Sequence, residues 1–280
     1  SVLLIVWAIL TEVSVGALFL AGVIPGLLLG LVFVIYCIVW AIRHPDRVPV
    51  VIEEEAPDGP GQKRSEKISG LGIILLIFLV LGGIWAGVFT PTEAAGFGVA
   101  GSIVLGFAKG MGRKEFIEAT LDAGRFTAPV MFLLIAGSMY AKLLAVSGGL
   151  DMIQTLLTDT GFGPIGLVAI MTVVWLLLGA LIDSISDILL TVPIFVPMAM
   201  AVGIDPIAFA IYGIIIIEAG LLTPPLGLLV FTVKSSVPDS SVTLSEIFIG
   251  AVPYWLLMLF VAVLVIVFPE LATWLPGLMF

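Results

Sequence analysis

Long apolar runs, broken at a small number of polar points, dominate this chain. Residues 1–10 are apolar but too few to cross the ~30 Å hydrocarbon core of a bilayer, so they read as the end of a helix. Residues 11–42 hold a short polar interruption, Thr11 to Ser14, and then one full span from about Gly16 to Ile42. Residues 43–70 form the longest polar loop, with Glu53-Glu54-Glu55 and the turn Pro57-Asp58-Gly59-Pro60. Residues 71–125 predict two spans, near 71–89 and 91–108, followed by an amphipathic segment, Lys109 to Arg125, that suits a helix lying at the interface. Residues 126–162 predict a further span and an external connection.

The pattern then becomes irregular. Residues 163–182 are apolar, Asp183-Ser184-Ile185-Ser186-Asp187 intervene, and 188–203 are apolar again. The second arm is short and carries Pro193 and Pro197, so 163–203 reads as two short helices meeting at a polar tip: a re-entrant hairpin. Residues 204–246 hold an apolar stretch long enough to cross, interrupted by Gly220-Leu221-Leu222-Thr223-Pro224-Pro225-Leu226-Gly227. Two adjacent prolines remove two backbone donors, which predicts a broken helix. Residues 247–280 supply a last span and the interfacial Trp274.

Composition agrees with this pattern and narrows the class. Across 280 residues, 61% are hydrophobic, 11% are charged and the mean hydropathy is +1.28. The charged fraction is less than half the ~25% of a soluble domain, and such a chain must be solvated largely by lipid. The fold class is therefore an all-α polytopic membrane protein. Eleven Lys and Arg against 20 Asp and Glu, without a basic stripe, exclude nucleic acid as a partner. Cys37 allows no internal disulfide, and a single His44 builds no histidine-rich metal site. Positive charge gathers in two places, Arg43 to Lys67 and Lys109 to Arg125, separated by two spans. Both then face the cytoplasm, and the hairpin enters and leaves by the external face.

Irregular backbone at membrane depth occurs only where protein or water covers it, and broken helices present carbonyl and N–H ends to ions and substrates. The tip and the break are therefore the candidate site: Asp183, Ser184, Ser186, Glu218, Gly220, Thr223, Pro224, Pro225 and Gly227. Neutral oxygens suit Na⁺, placed near Ser186, Gly220 and Thr223. Asp187 belongs to the same tip and is expected to meet water there. Glu218 is open to three roles: capping N–H groups, answering a bound cation, or carrying a proton. Glu93, after Thr90-Pro91-Thr92, is read as a helix cap, and Lys142 as a snorkelling side chain. There is no catalytic nucleophile with a histidine base, no metalloprotease motif and no phosphate-binding glycine-lysine loop, so no enzyme is expected and no cofactor beyond a coupling sodium ion.

Several of these stretches resemble the large membrane subunit of tripartite ATP-independent periplasmic (TRAP) transporters, the DctM type. They are Gly16 to Gly26, Phe89-Thr90-Pro91-Thr92-Glu93-Ala94-Ala95, Gly179 to Asp183 with the Pro193 and Pro197 arm, and Glu218 to Gly227. The resemblance implies a sodium-coupled, elevator-type importer of organic acids such as dicarboxylates or sialic acid, in a bacterial or archaeal inner membrane. Its implied partners are a small four-helix membrane subunit and a periplasmic binding protein that delivers the substrate. It further implies that this chain holds the second of two inverted repeats, with residues 1–10 ending the first repeat's broken helix, so that the chain alone does not transport. The alternative is a sodium–carboxylate carrier that needs no binding protein. Asp187 and Leu229 depart from the family pattern, which commonly has a small apolar residue and Asn at these positions.

Overall fold

The computed structural model describes residues 1–47, 60–149, 152, 155, 163–237 and 242–279. The Glu53–Glu55 run and most of the 148–162 connection lie outside the described residues. All regular structure among the described residues is helical: α1 (Val2–Thr11), α2 (Val15–Ala21), α3 (Val23–Arg43), α4 (Pro60–Trp85), α5 (Pro91–Ala108), α6 (Arg113–Val146), α7 (Pro164–Gly179), α8 (Ser184–Ala201), α9 (Pro206–Gly220), α10 (Leu228–Ser236), α11 (Leu244–Val267) and α12 (Glu270–Thr273), with short 3₁₀ turns at Pro45–Arg47 and Pro276–Leu278. The chain divides into two compact units, one of residues 1–34 and 127–278, the other of residues 35–126.

In the first unit, α9 is the central element. It packs against α7, α8 and α11, and also touches α1, α2 and α12. Apart from Ile214 and Glu218, Ala208 to Gly220 is buried, as an element surrounded by protein on all sides requires. Asp205 caps its start by accepting from the N–H groups of Ile207 and Ala208, both at 2.9 Å, and Pro206 occupies the first helical position, where no donor is needed. Trp7 of α1 and Trp175 of α7 lie 6.2 Å apart between ring centres, with Phe209 at 6.2 Å and 5.4 Å from them. Both indoles are fully buried. Gly213 makes room for them, since a Cβ there would fall 2.6 Å from the Trp7 ring and 2.9 Å from Trp175. In the second unit, α4 packs on α5 with Gly101 receiving Leu76, whose Cδ1 would lie 2.4 Å from an added Cβ.

Helices α3, α6 and α11 also carry apolar residues outward. Leu27, Leu31 and Val34 are exposed on α3, Phe132, Ile135 and Met139 on α6, and Leu256, Phe260 and Val263 on α11. Spacings of three and four residues make these continuous apolar faces, as lipid-facing helices require. The segments 15–43, 113–146, 184–201 and 244–267 are long and apolar enough to cross a membrane. Of these, α8 is the shortest, with 18 residues, which at ~1.5 Å per residue is about 27 Å. Its polar start and half-buried flank suit an arm of a hairpin better than an independent span.

Three boundaries differ from the sequence reading. The span expected from Gly16 to Ile42 is divided at Gly22, because Pro25 has no N–H to offer Ala21 and its ring crowds that carbonyl. Helix α4 begins at Pro60 rather than near residue 71; proline suits a first position and Gln62-Lys63-Arg64-Ser65-Glu66-Lys67 consists mostly of good helix formers. The amphipathic segment and the span after it form the single helix α6, which has Pro129 inside it but no interior stop. The cap expected at Thr90 is present. Its hydroxyl accepts from Glu93 N–H at 3.3 Å, and Glu93 Oε2 accepts from Thr90 N–H at 2.8 Å.

Candidate functional site at the hairpin tip and helix break

Helices α7 and α8 pack together and are joined only by Ala180 to Asp183, so the chain reverses in a helical hairpin with Asp183 at the turn. Asp183 is the N-cap of α8. Its Oδ1 accepts from Ile185 N–H at 3.0 Å and Ser186 N–H at 3.1 Å, while Oδ2 accepts from the Ser186 hydroxyl at 2.6 Å. A carboxylate at the positive end of a helix with three donors caps that helix and fixes the tip.

The tip is held to α9 at two points. Ser184 donates its hydroxyl to Glu218 Oε1 at 2.8 Å. Beside this bond the backbones of α7 and α9 meet. A Cβ on Gly179 would fall 2.9 Å from Gly220 Cα and 3.0 Å from the Ile217 carbonyl oxygen, and one on Gly220 would fall 2.9 Å from Gly179 Cα. Only glycine allows this approach from either side, so Gly179 belongs to the site as much as Gly220.

After Gly220 the helix tightens and stops. Leu221 N–H reaches the Ile217 carbonyl, Leu222 N–H the Ala219 carbonyl at 3.1 Å and Thr223 N–H the Gly220 carbonyl at 2.8 Å. Three of the four terminal carbonyls of α9 are thus already engaged. Pro224-Pro225 then carries the chain away through a cis peptide bond, and Gly227, at φ +50°, caps α10 in the left-handed region. A Cβ on Gly227 would also strike the Phe248 ring at 2.7 Å. Thr223 and Pro224 line an apolar hollow of about 310 Å³ with Leu222, Phe248, Ile249, Val252 and Trp255.

The nine candidate residues therefore divide into two groups. Asp183, Ser184, Ser186, Glu218 and Gly220 come together where the hairpin meets α9. Thr223, Pro224 and Gly227 lie against α11 instead, and Pro225 is exposed beside them. Glu218 takes the one role the bonds define: it is the acceptor that ties the tip to α9. The hydroxyl protons of Ser184, Ser186 and Thr223 are directed at Glu218, Asp183 and the Ala219 carbonyl respectively. A hydroxyl that ligates a cation must send its proton elsewhere and present a lone pair, and all three meet that condition.

Asp187 differs from expectation. It is not exposed at the tip but wholly buried, and neither carboxylate oxygen has a hydrogen-bond partner. The reason is helical register. The buried face of α8 runs Ser184, Asp187, Ile188, Thr191, Val192 and Val196, at spacings of three and four residues, and Asp187 falls on it. That register was present in the sequence, while the label of a tip residue concealed it. Below it, Trp175 Nε1 donates to Thr191 Oγ1 at 2.8 Å, and Thr191 donates to the Asp187 backbone carbonyl at 2.7 Å.

A hairpin whose polar tip is bonded to the end of an interrupted apolar helix is the architecture of a membrane carrier protein rather than of a bundle of simple spans. Residues 1–271 match the family model of the tripartite ATP-independent periplasmic transporter, DctM component, and this chain belongs to that family. The family is one of transporter permeases, not enzymes. The chain is 32% identical over 279 residues to the C4-dicarboxylate TRAP transporter large permease protein DctM of Pseudomonas aeruginosa, covering 99% of this chain and 63% of that protein. It is 31% identical over 283 residues to the sialic acid TRAP transporter large permease protein SiaM of Vibrio cholerae, with 99% and 64% covered. To the ectoine TRAP transporter large permease protein TeaC of Halomonas elongata it is 27% identical over 289 residues, with 100% and 64% covered. The chain thus spans less than two thirds of the length of these relatives.

Proposed function

We propose that this chain is the part of a TRAP large permease that carries the second transport hairpin and its opposing broken helix. The permease imports a small organic acid across the inner membrane, coupled to Na⁺. A periplasmic binding protein delivers the substrate and a small four-helix membrane subunit completes the assembly. The observation that carries this reading is the Ser184–Glu218 bond beside the Gly179–Gly220 contact, within a DctM-family chain.

Sodium coupling rests on the oxygen chemistry of the site. Ser184 and Ser186 at the tip offer lone pairs with their protons turned away, as Thr223 does separately at the break, and neutral oxygens of this kind suit a hard monovalent ion. Among the described residues no three Asp, Glu, His or Cys side chains converge as a divalent metal would require. An elevator mechanism requires one body that carries the site and another that stays. The chain divides into two compact units, and all nine candidate residues fall in one of them. Residues 1–271 match a TRAP family model, which favours the binding-protein-dependent reading over an independent sodium–carboxylate carrier. The relatives named above span dicarboxylate, sialic acid and ectoine permeases, so a panel of such acids is the proper test set.

The test is uptake of radiolabelled acids into proteoliposomes holding the full-length permease, its small subunit and its binding protein. Uptake that needs both an inward Na⁺ gradient and the binding protein is expected. Na⁺-driven uptake without the binding protein would favour the independent carrier, and uptake unchanged when K⁺ replaces Na⁺ would refute sodium coupling.

A further inference from the structure

We propose that Asp187 supplies the formal negative charge of a monovalent-cation site buried beneath the hairpin tip. The proposal rests on the sodium-coupled reading and adds to it a particular charged ligand.

The argument begins with an imbalance. Asp187 is fully buried, and both of its carboxylate oxygens lack a donor. An isolated carboxylate buried in this way costs several kcal/mol, so proteins normally supply hydrogen bonds or a counter-charge. Donors are close in sequence on the same helix, yet each is spent elsewhere. Ser184 donates to Glu218, Ser186 to Asp183, and Thr191 to the backbone carbonyl of Asp187 itself. The arrangement leaves one carboxylate bare while every neighbouring hydroxyl keeps a lone pair.

Among the described residues no Lys, Arg or His pairs with this carboxylate. The unit of residues 1–34 and 127–278 contains no Arg or His, and its only lysines are Lys142 and Lys234. Lys142 is exposed on α6, and the Lys234 Nζ lies 2.5 Å from the Val242 carbonyl on the far side of the break. The charged groups nearest the tip are all negative. Asp183 lies one turn before Asp187 on α8, and Glu218 of α9 is bonded to Ser184, which lies three residues before Asp187. A mobile cation drawn from solution is the complement this site lacks. Because no three acidic, histidine or cysteine side chains converge among the described residues, the cation is monovalent, with one carboxylate for charge and neutral oxygens for the rest.

The proposal makes a prediction with opposite signs in two conditions. Without the cation, wild-type protein carries an uncompensated buried charge that Asp187→Ala removes, so the variant unfolds at a higher temperature. With Na⁺ present the wild type gains stability by mass action and the variant does not. The experiment uses the full-length permease in detergent at pH 8, with an organic cation as the only other salt, and follows unfolding temperature against Na⁺ concentration. Wild type should show a saturable rise. Asp187→Asn, nearly the same shape, should raise the half-saturating Na⁺ about tenfold or more, the expected loss of one charge-assisted contact.

Three results separate the possibilities. Unchanged half-saturation in both variants would overturn the Asp187 site, and sodium-driven uptake in the same samples would leave the transport reading standing. Stabilisation of wild type by acid in place of Na⁺, lost in Asp187→Asn, would show that a proton fills the role and overturn the cation site. Absence of any Na⁺ effect on wild-type stability and uptake would remove the coupling reading itself, and the site with it.

Discussion

Single residues decide how closely the hairpin and α9 can meet. Gly179 and Gly220 each stand where a methyl group would fall within about 3 Å of the other's backbone. Backbone cannot swing aside as a flexible side chain can, so Gly179→Ala and Gly220→Ala should each cost about 1–3 kcal/mol, the range for overpacking a closed contact. Thermal unfolding of the purified permease checks this, and the two substitutions should be less than additive, because either one alone separates the helices. The Ser184–Glu218 bond is a second test at this scale. A double-mutant cycle with Ser184→Ala and Glu218→Ala should return a coupling of about 1–3 kcal/mol, the range spanned by neutral and charge-assisted hydrogen bonds. Of these four residues the sequence announces Glu218 and Gly220 through the break, and Ser184 through the polar tip. Gly179 stands at the end of an apolar run with no local mark of its packing role. Its role depends on which glycine of another helix lies opposite, and no local pattern carries that information.

Elements are legible where the backbone leaves a chemical mark. The start of α8 is written in Asp183, the start of α9 in Asp205-Pro206, and the starts of α5 and α11 in the capping boxes Thr90/Glu93 and Thr243/Glu246. Prolines and glycines likewise place the break after Gly220. Less legible are the joints that depend on continuity. The division at Gly22 follows from Pro25, three residues away, and the union of 113–146 into α6 follows from nothing strong enough to stop a helix. Because α9 is the hub of its unit, its cap should matter beyond its own first turn. Asp205→Ala leaves the N–H groups of Ile207 and Ala208 without their acceptor and should cost about 1 kcal/mol. Asp205→Asn, which keeps the acceptor, should recover most of that loss. Denaturation midpoints of the two variants decide the matter, and equal losses in both would show that charge rather than capping is at stake.

At the scale of the whole molecule the open variable is orientation, and the charge pattern makes a definite statement about it. Lysines and arginines gather at 43–67 and 109–125, and Lys234 follows the break; Lys142 alone lies toward the other end of α6, and 148–162 and 269–280 carry none. With α4 and α5 crossing between the first two clusters, α6 crossing next, the hairpin returning to its own side, and the broken helix and α11 each crossing once, all three basic positions fall on one face. Positive charge is retained on the cytoplasmic side, so that face is expected to be cytoplasmic, with the turn after α6 and the C-terminal tail external. Thiol labelling can read this directly once Cys37, the single cysteine of these 280 residues, and any cysteine in the rest of the full-length permease are replaced by serine. In right-side-out vesicles, a membrane-impermeant maleimide should label Ser147→Cys and Leu278→Cys, and should reach Lys114→Cys and Ser236→Cys only after permeabilisation. Those four positions lie at exposed helix ends or turns, so failure to label would reflect the side rather than burial. Labelling of Ser147→Cys and Lys114→Cys from the same side would mean that α6 does not cross, and the hairpin could not then enter and leave by the external face.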